Sequence, residues 1–259
     1  MTTLDINHGG DADPKRPYHE TYKPASHFRS KDEEFDAVKI GMWLFLATEV
    51  LLFAGLFVGY AIFRMMHPEA FRNGSHYLDW KWGCLNTVVL LFSSWTIATS
   101  IGNAQRNEQK KLRRNLLITI ACALLFVGIK FTFEYMPKWS GWFVAFDPAL
   151  SHYESDTSAL GGLLHHVPGY GGKRPGSLFD YPFAENPYEP MWWSIYYCAT
   201  GIHATHVLIG VGLISWLYIR ARKLHFGPGH YNAVEVVGLY WHIVDLIWIF
   251  LFPLLYLIH

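Results

Sequence analysis

Residues 239–250 read LYWHIVDLIWIF, and two ionisable side chains, His242 and Asp245, lie in this otherwise apolar stretch. An ionisable group at the centre of a bilayer costs roughly 2.5–3.5 kcal/mol on insertion scales, so it usually faces other helices. The apolar segment runs over about 233–258, which at 1.5 Å per residue is long enough to cross a bilayer with some tilt. The stretch therefore predicts a membrane helix whose polar face is packed against protein.

Four further apolar stretches are long enough to cross a hydrocarbon core roughly 30 Å thick. Hydrophobic residues make up 51% of the 259-residue chain and charged residues only 16%, below the roughly 25% of soluble domains. The five predicted spans lie at about 39–65, 84–104, 114–136, 191–219 and 233–258. We therefore expect an all-α polytopic membrane protein, in which a polar N-terminal tail at 1–38 precedes a five-helix domain at 39–259.

The distribution of lysine and arginine predicts the orientation of the chain. Fourteen of these residues lie in the tail and in the loops at 105–114 and 220–232, whereas six lie on the other side of the spans. Cytoplasmic loops carry the excess of positive charge, so we expect a cytoplasmic N-terminus and an external C-terminus. The first 37 residues show no apolar core of a signal peptide, so no cleavable signal is expected.

Two other classes of function find little support. The three cysteines fall one to a span, without the spacing of a disulfide framework or of covalent haem attachment. The formal net charge is zero, and no basic tract with interleaved aromatic residues suggests nucleic-acid binding.

A long loop at 137–190 is predicted on the external side. It is rich in proline and glycine, and its acidic residues outnumber its basic ones, six to three. Loops of this length are usually functional or disordered. The loop could bind a partner with a basic surface, or it could be a solvated insertion.

Each predicted span except the second contains ionisable residues. These are Glu49 in the first span, Lys130 and Glu134 in the third, His203 and His206 in the fourth, and Glu235, His242 and Asp245 in the fifth. At 100° per residue, the three in the fifth span share one face. The glycines Gly201, Gly210 and Gly212 of the fourth span would let that face approach closely. We therefore expect the fourth and fifth spans to pack through these two faces.

Three interpretations of the buried groups remain open. The first is structural: Lys130 and Glu134 form an i, i+4 ion pair, and the histidines donate to carbonyls or to carboxylates such as Glu235 or Asp245. The second is a b-type haem between His203 or His206 and His242. The third is a proton relay through Glu49, the histidines and Asp245. A transporter is a further class, but no inverted repeat or discontinuous helix is apparent.

Several motifs together resemble subunit III of the haem–copper oxidases. KIGMWLFLATEVLLFAGLF is similar to the family helix with a central glutamate, here Glu49, and LNTVVLLFSSWTIA and LLITIACALLFVGIKFTFEY are similar to the next two helices, ending on Glu134. The most specific segments are CATGIHATHVLIGVGL and VEVVGLYWHIVDLIWIFLF. The motifs occur in the family's order and cover nearly all of the membrane part.

The resemblance implies a non-catalytic accessory subunit of a cytochrome c oxidase of the aa3 or caa3 type. Such a subunit carries no haem or copper, which lie in subunits I and II. It packs against subunit I, supports proton uptake and binds phospholipid; a small subunit IV is a further expected partner. On this interpretation His242 and Asp245 hold the bundle together through hydrogen bonds to the fourth span. A basic cluster at the cytoplasmic end of that span would bind anionic headgroups; its members are Arg220, Arg222, Lys223 and His225.

Two features depart from the longer family form. That form has seven helices and this chain has five, which resembles the bacterial form in which another subunit supplies the missing pair. The resemblance therefore implies a bacterial inner membrane. The loop at 137–190 is the second departure, and it could bind an extra partner such as a neighbouring respiratory complex. The same fold also occurs beside quinol oxidases and nitric oxide reductases, so the electron donor stays open.

Overall fold

The structure is a computed structural model that describes residues 17–76, 78–135 and 188–258. This part of the chain is built from helices. Five of them are long and apolar enough to cross a membrane, as predicted. The helices are α1 (Tyr18–Thr21), α2 (Lys31–Met66), α3 (Pro68–His76), α4 (Trp80–Gln105), α5 (Gln109–Ile129), α6 (Glu189–Arg222) and α7 (Asn232–Tyr256). A π-helical turn, Lys130–Tyr135, continues α5. Of the predicted loop at 137–190, residues 137–187 lie outside the described part of the chain.

The first spanning helix begins at Lys31, eight residues before the predicted start of its span. Ser30 caps it, because its hydroxyl accepts a hydrogen bond from the Glu33 amide at 3.1 Å. Three acidic residues in the first turn, Asp32, Glu33 and Glu34, also favour the positive end of the helix dipole. The end of the expected polar tail is therefore helical.

Helices α4, α5, α6 and α7 form the packed part of the bundle, and α2 lies at its edge. In the most apolar 18-residue stretch of α7, half of the residues are buried, whereas in the corresponding stretch of α2 only 11% are buried. Apolar side chains of α2 such as Trp43, Leu44 and Leu51 are exposed, as is normal for a surface that faces lipid. The polar contacts that α2 makes with the other helices are therefore few and specific.

Hydrogen bonds fix the antiparallel register of α4 against α7. The Trp241 indole donates to the Ser93 hydroxyl at 3.0 Å, and the Trp248 indole donates to the Thr87 hydroxyl at 3.1 Å. Next to the first of these contacts, the Ser94 hydroxyl lies 2.7 Å from His242 Nδ1. The polar face of the last helix is therefore turned toward α4.

The predicted packing of the fourth and fifth spans is correct at one glycine only. A Cβ on Gly210 would lie 2.6 Å from the Trp241 ring, so the absent side chain lets α6 and α7 approach closely. Positions 201 and 212 have open space where a Cβ would stand. The large aromatic ring of Trp241 fills the α6–α7 contact, and the His242 side chain meets α4 instead.

Candidate functional site: ionisable groups inside the helix bundle

Glu49 and His206 form a pair that joins α2 to α6. The His206 Nε2 atom lies 2.8 Å from Glu49 Oε2, and Nδ1 lies 2.8 Å from the Ile202 carbonyl oxygen. A carbonyl can only accept, so Nδ1 carries a proton, and the Nε2–Glu49 contact then requires one further proton between the two groups. The pair can therefore hold one shared proton while its net charge is zero.

Lys130 and Glu134 are a buried ion pair in the π-helical turn after α5. Lys130 is 3% exposed and Glu134 is 2% exposed. The Lys130 ammonium donates to Glu134 Oε2, as the i, i+4 spacing predicted, and also to the Tyr256 hydroxyl. The hydroxyl of Tyr196 donates to the same carboxylate oxygen at 2.9 Å, and that of Tyr256 also donates to it. The pair is therefore an internal connection between α5, α6 and α7.

Aromatic rings surround the Lys130 ammonium. Its Nζ atom lies 4.9–5.8 Å from the ring centroids of Tyr135, Tyr196, Trp248 and Tyr256. Cation–π attraction is strongest when the cation is desolvated, as it is here. The rings and Glu134 together replace part of the hydration that burial removes.

His203 lies apart from the Glu49–His206 pair, on a more buried face of α6. Its ring packs at 5.3 Å against Trp248 and meets Phe126 edge-on at 5.7 Å. The residue is 1% exposed, and neither ring nitrogen has a hydrogen-bond partner among the described residues. The two histidines of the motif, predicted together, therefore have different environments.

The predicted partners of the last helix are wrong in detail. His242 was expected to bond to the fourth span, but its Nδ1 atom meets Ser94 on α4, the second span. Asp245 is also buried; neither carboxylate oxygen makes a hydrogen bond of normal geometry to a described residue, and Ser94 is a polar group beside it. Both differences follow from the register in which Trp241 and Trp248 bond to α4.

Glu235 pairs with α2, not with a histidine. Its Oε1 atom lies 2.7 Å from Lys39 Nζ, at the end of the bundle where α2 begins and α7 starts. The face of α7 predicted from helical geometry is thus divided between two neighbours: α2 meets Glu235, and α4 meets His242.

The basic cluster at the C-terminal end of α6 adjoins the N-terminal segment. The Arg220 guanidinium stacks on Trp216 at 4.5 Å, while Arg222 and Lys223 are exposed. His225 packs at 4.4 Å against Tyr18. Burial, followed by the charges of Arg220 and Lys223, lowers the pKa of His225.

A buried histidine that sequence analysis missed fastens the N-terminal segment to the loop between α6 and α7. The His19 Nδ1 atom lies 3.1 Å from the Leu224 carbonyl oxygen, and its ring covers Gly227 so closely that a Cβ there would lie 2.4 Å from it. Beside it, Tyr22 packs at 4.0 Å on His230 and donates to both carboxylate oxygens of Glu34. Burial and the bond to Glu34 raise the pKa of Tyr22 to about 12.

The sequence signal for the other missed residues is weak. Tyr196 and Tyr256 are ordinary aromatic residues of apolar helices, and only the fold brings them to Glu134. Ser94 is one of several small polar residues in α4. Their partners lie more than 60 positions away in the sequence, so no local pattern could have identified them.

Comparison with known proteins gives consistent matches. A family model for cytochrome c oxidase subunit III matches residues 183–259, which include α6 and α7. A cytochrome c oxidase subunit 3 from Thermostichus vulcanus is 30% identical over 224 residues, covering 85% of this chain and 86% of the relative. A probable quinol oxidase subunit 3 from Staphylococcus aureus is 25% identical over 231 residues, covering 88% of this chain and 92% of the relative.

The matches to the two relatives extend over most of both chains, and the described bundle contains the five spans and the buried ionisable groups on which the resemblance was based. The chain is a multi-pass membrane protein and belongs to the subunit III family of haem–copper oxidases.

Proposed function

We propose that this chain is a non-catalytic accessory subunit of a cytochrome c oxidase of the aa3 or caa3 type, in which it stabilises subunit I and supports proton uptake. One observation carries the proposal. In the described bundle, ionisable side chains are used in contacts that connect helices. Three of these contacts join two helices directly: Glu49–His206, Ser94–His242 and Lys39–Glu235. The Lys130–Glu134 pair lies within a buried network that joins three helices. Groups arranged in this way hold a scaffold together, which supports an accessory role.

The alternative of a b-type haem in this chain requires two histidine nitrogens that face each other across a porphyrin. His206 uses both ring nitrogens, on Ile202 and Glu49, and His242 uses Nδ1 on Ser94. The ring of His203 packs against Trp248. These positions support our proposal that haem and copper belong to subunits I and II.

We place the chain in a bacterial inner membrane, with a cytoplasmic N-terminus and an external C-terminus, on the basis of its lysine and arginine distribution. Its partners would be subunits I and II and a small subunit IV. The loop at 137–190, outside the described residues up to 187, would be available to a further respiratory complex.

Phospholipid is a further expected ligand, held by the basic cluster at the end of α6. Arg222 and Lys223 are exposed there, and anionic headgroups are attracted to such cationic side chains. Neutralising Arg220 and Lys223 together should lower the amount of anionic lipid that copurifies with the complex. Lipid retention equal to that of the unaltered chain would contradict this part of the proposal.

The decisive experiment captures the tagged chain from its native membranes in mild detergent. The visible spectrum and the subunit masses are recorded before and after the chain is stripped from its partners. We expect haem a and subunits I and II in the captured complex and no haem on the isolated chain. Haem that stays with the isolated chain would overturn the proposal and make the intramembrane histidines candidate ligands.

The same preparation tests the electron donor. The relative that is 30% identical is named a cytochrome c oxidase subunit, whereas those at 25% are named probable quinol oxidase subunits, and this favours cytochrome c. We expect the complex to oxidise reduced cytochrome c. Oxidation of quinol alone would assign the chain to a quinol oxidase while leaving its accessory role intact.

Replacing His242 or Asp245 by leucine separates a structural role from a proton relay. We expect each variant to lower the yield of assembled complex more than the turnover of the complex that does assemble, because His242→Leu removes the partner of the Ser94 hydroxyl and Asp245→Leu removes a polar group beside that hydroxyl. If Asp245→Leu left assembly intact and abolished proton uptake, a relay would replace the structural role.

A further inference from the structure

Three buried side chains in the bundle of α4, α5, α6 and α7 have two polar atoms that both lack a hydrogen-bond partner among the described residues: His203 on α6, Asn86 on α4 and Asp245 on α7. Asp245 has the Ser94 hydroxyl beside it. The other two are the imidazole of His203 and the amide of Asn86. His203 is 1% exposed and Asn86 is 0% exposed. A buried polar group without a partner costs about 1–3 kcal/mol, and such groups in native proteins are normally satisfied by protein or ordered water.

His203 lies beside the Lys130–Glu134 pair. Both Lys130 Nζ and the His203 ring contact Trp248, at 5.0 Å and 5.3 Å from its ring. The Trp248 indole nitrogen donates to Thr87, and its ring also meets Phe126 edge-on at 4.9 Å. The imidazole therefore belongs to the same polar region of the interior as the ion pair.

Asn86 lies at the same level of the bundle. The hydroxyls of Thr96 and Thr119 are 2.8 Å apart, and this contact fixes the antiparallel register of α4 and α5. Asn86 is ten residues before Thr96 on α4, and Ile129 is ten residues after Thr119 on α5. Because the helices are antiparallel and each rises about 1.5 Å per residue, Asn86 lies at the height of Ile129, the neighbour of Lys130. Both partnerless side chains thus lie at the height of the buried ion pair.

Neither lipid nor another subunit can satisfy these atoms. Their burial comes from this chain alone, so a partner or an acyl chain at the surface of the bundle does not reach them. The ligand must be small, polar and able to donate and accept. Buried water has these properties and typically makes two to four hydrogen bonds to such groups.

We propose that the interior of the α4–α7 bundle is a hydrated site, in which ordered water binds His203 and Asn86 beside the Lys130–Glu134 pair. The water completes the hydrogen bonds of the imidazole and the amide, and it adds polar contacts to a region that is otherwise enclosed by aromatic rings. The site is separate from the Glu49–His206 pair, and the inference does not depend on the identity of the electron donor.

The first test is direct. A density map of the intact oxidase complex, at a resolution that shows water, should contain water within hydrogen-bond distance of a His203 ring nitrogen and of the Asn86 amide. A dry interior, or side chains turned onto protein partners in that map, would overturn the proposal. This measurement needs no variant, so a failure to fold cannot confuse it.

The second test uses the sign of a stability change. In a dry interior His203→Phe and Asn86→Leu each remove an unsatisfied polar group, which leaves stability equal or higher. In a hydrated interior each variant deprives the bound water of a partner, and we expect the temperature at which the chain dissociates from the complex to fall by about 2–4 °C or more. Thr205→Val is the matched control, because Thr205 is exposed on α6 and bonds only to Gly201 of its own helix. An unchanged or raised temperature for both variants would refute the hydrated site.

Discussion

At the scale of single residues, the chain keeps ionisable groups inside a membrane by giving most of them a specific partner. His206 holds Glu49 at 2.8 Å, and Lys130 holds Glu134 within a set of tyrosine hydroxyls and aromatic rings. A lone charge in such surroundings would be strongly disfavoured, whereas a pair with hydrogen bonds to its remaining atoms is tolerated. Removing one partner should therefore be worse than removing both.

Replacing His206 by leucine tests this statement at the α2–α6 contact. Glu49 loses its only described side-chain partner, and we expect a loss of about 1–3 kcal/mol in the stability of the bundle. The double variant with Glu49→Leu should recover part of that loss. Thermal denaturation of the purified complex, followed by retention of this chain, measures both effects. A double variant less stable than His206→Leu would argue against the pairing.

Replacing Lys130 by methionine should have a larger effect. Glu134 would remain in the interior without its cation, and breaking a buried pair in this way costs about 3–5 kcal/mol. Lys130→Met combined with Glu134→Gln should cost less than Lys130→Met alone. The yield of complex containing this chain, compared among the three variants, is the measurement. Equal yields for Lys130→Met and the unaltered chain would show that the pair contributes little.

At the scale of elements, close helix contacts occur where a glycine faces a large ring. Gly210 receives Trp241, and Gly74 of α3 receives Trp192, with a Cβ of Gly74 only 2.0 Å from the indole. Both rings are almost fully buried, so they have little room to move. The short helix α3 is held at the same end of the bundle by the Ser75 hydroxyl, which donates to the Ile258 carbonyl at 2.6 Å.

Two glycines of α6 provide a matched comparison of this packing. Gly210→Ala would place a methyl group 2.6 Å from the Trp241 ring, so the ring and α7 would have to shift, at a cost of about 1–3 kcal/mol. Gly212→Ala meets open space and should be neutral or stabilising, since alanine favours a helix. Thermal stability of the two variants in the same detergent checks the prediction. A larger loss for Gly212→Ala would indicate that a partner subunit covers that position.

At the scale of the whole molecule, the N-terminal segment closes one end of the bundle. His19, Tyr18 and Tyr22 pack on the loop between α6 and α7, and Gln109 at the start of α5 donates to the Phe226 carbonyl of that loop at 2.6 Å. The first and last spans are also joined near this end by Lys39 and Glu235. Residues far apart in the sequence therefore meet in a single cap.

This cap should loosen in acid. Burial is the main cause that lowers the pKa of His230; nearby His225, Lys31 and Arg220 lower it further, and Glu34 opposes them. Burial, then Arg220 and Lys223, lowers the pKa of His225. Because both values lie below the ordinary 6.5, docking is strongest above that pH and weakens as the pH falls through 6.5 toward the lowered values.

Limited proteolysis of residues 17–30 in the intact complex measures the effect. Cleavage should be faster at about pH 5.5 than at about pH 7.5 after correction for the protease's own pH dependence. The double variant His225→Phe and His230→Phe keeps the aromatic packing and removes both titrations, so its cleavage rate should change less with pH. Equal pH dependence in the variant and the unaltered chain would assign the effect to other groups.

The sequence by itself determined the number of spans and the presence of ionisable residues within them. Those features depend on local composition: about 20 consecutive apolar residues suffice to cross a bilayer, and a charge among them is visible wherever the chain folds. The i, i+4 pairing of Lys130 with Glu134 was predictable for the same reason, because helical geometry brings these positions together.

Only the tertiary structure decided which helices meet and what each buried group touches. Helical periodicity placed Glu235, His242 and Asp245 on one face but could not name the neighbour, which proved to be α2 for Glu235 and α4 for His242. The contacts of Tyr196 and Tyr256 with Glu134, and of His19 with Leu224, join distant parts of the chain. In lipid, where helices are not sorted by hydrophobicity, such choices depend on side-chain shape and on individual hydrogen bonds across interfaces, and a one-dimensional pattern does not contain them.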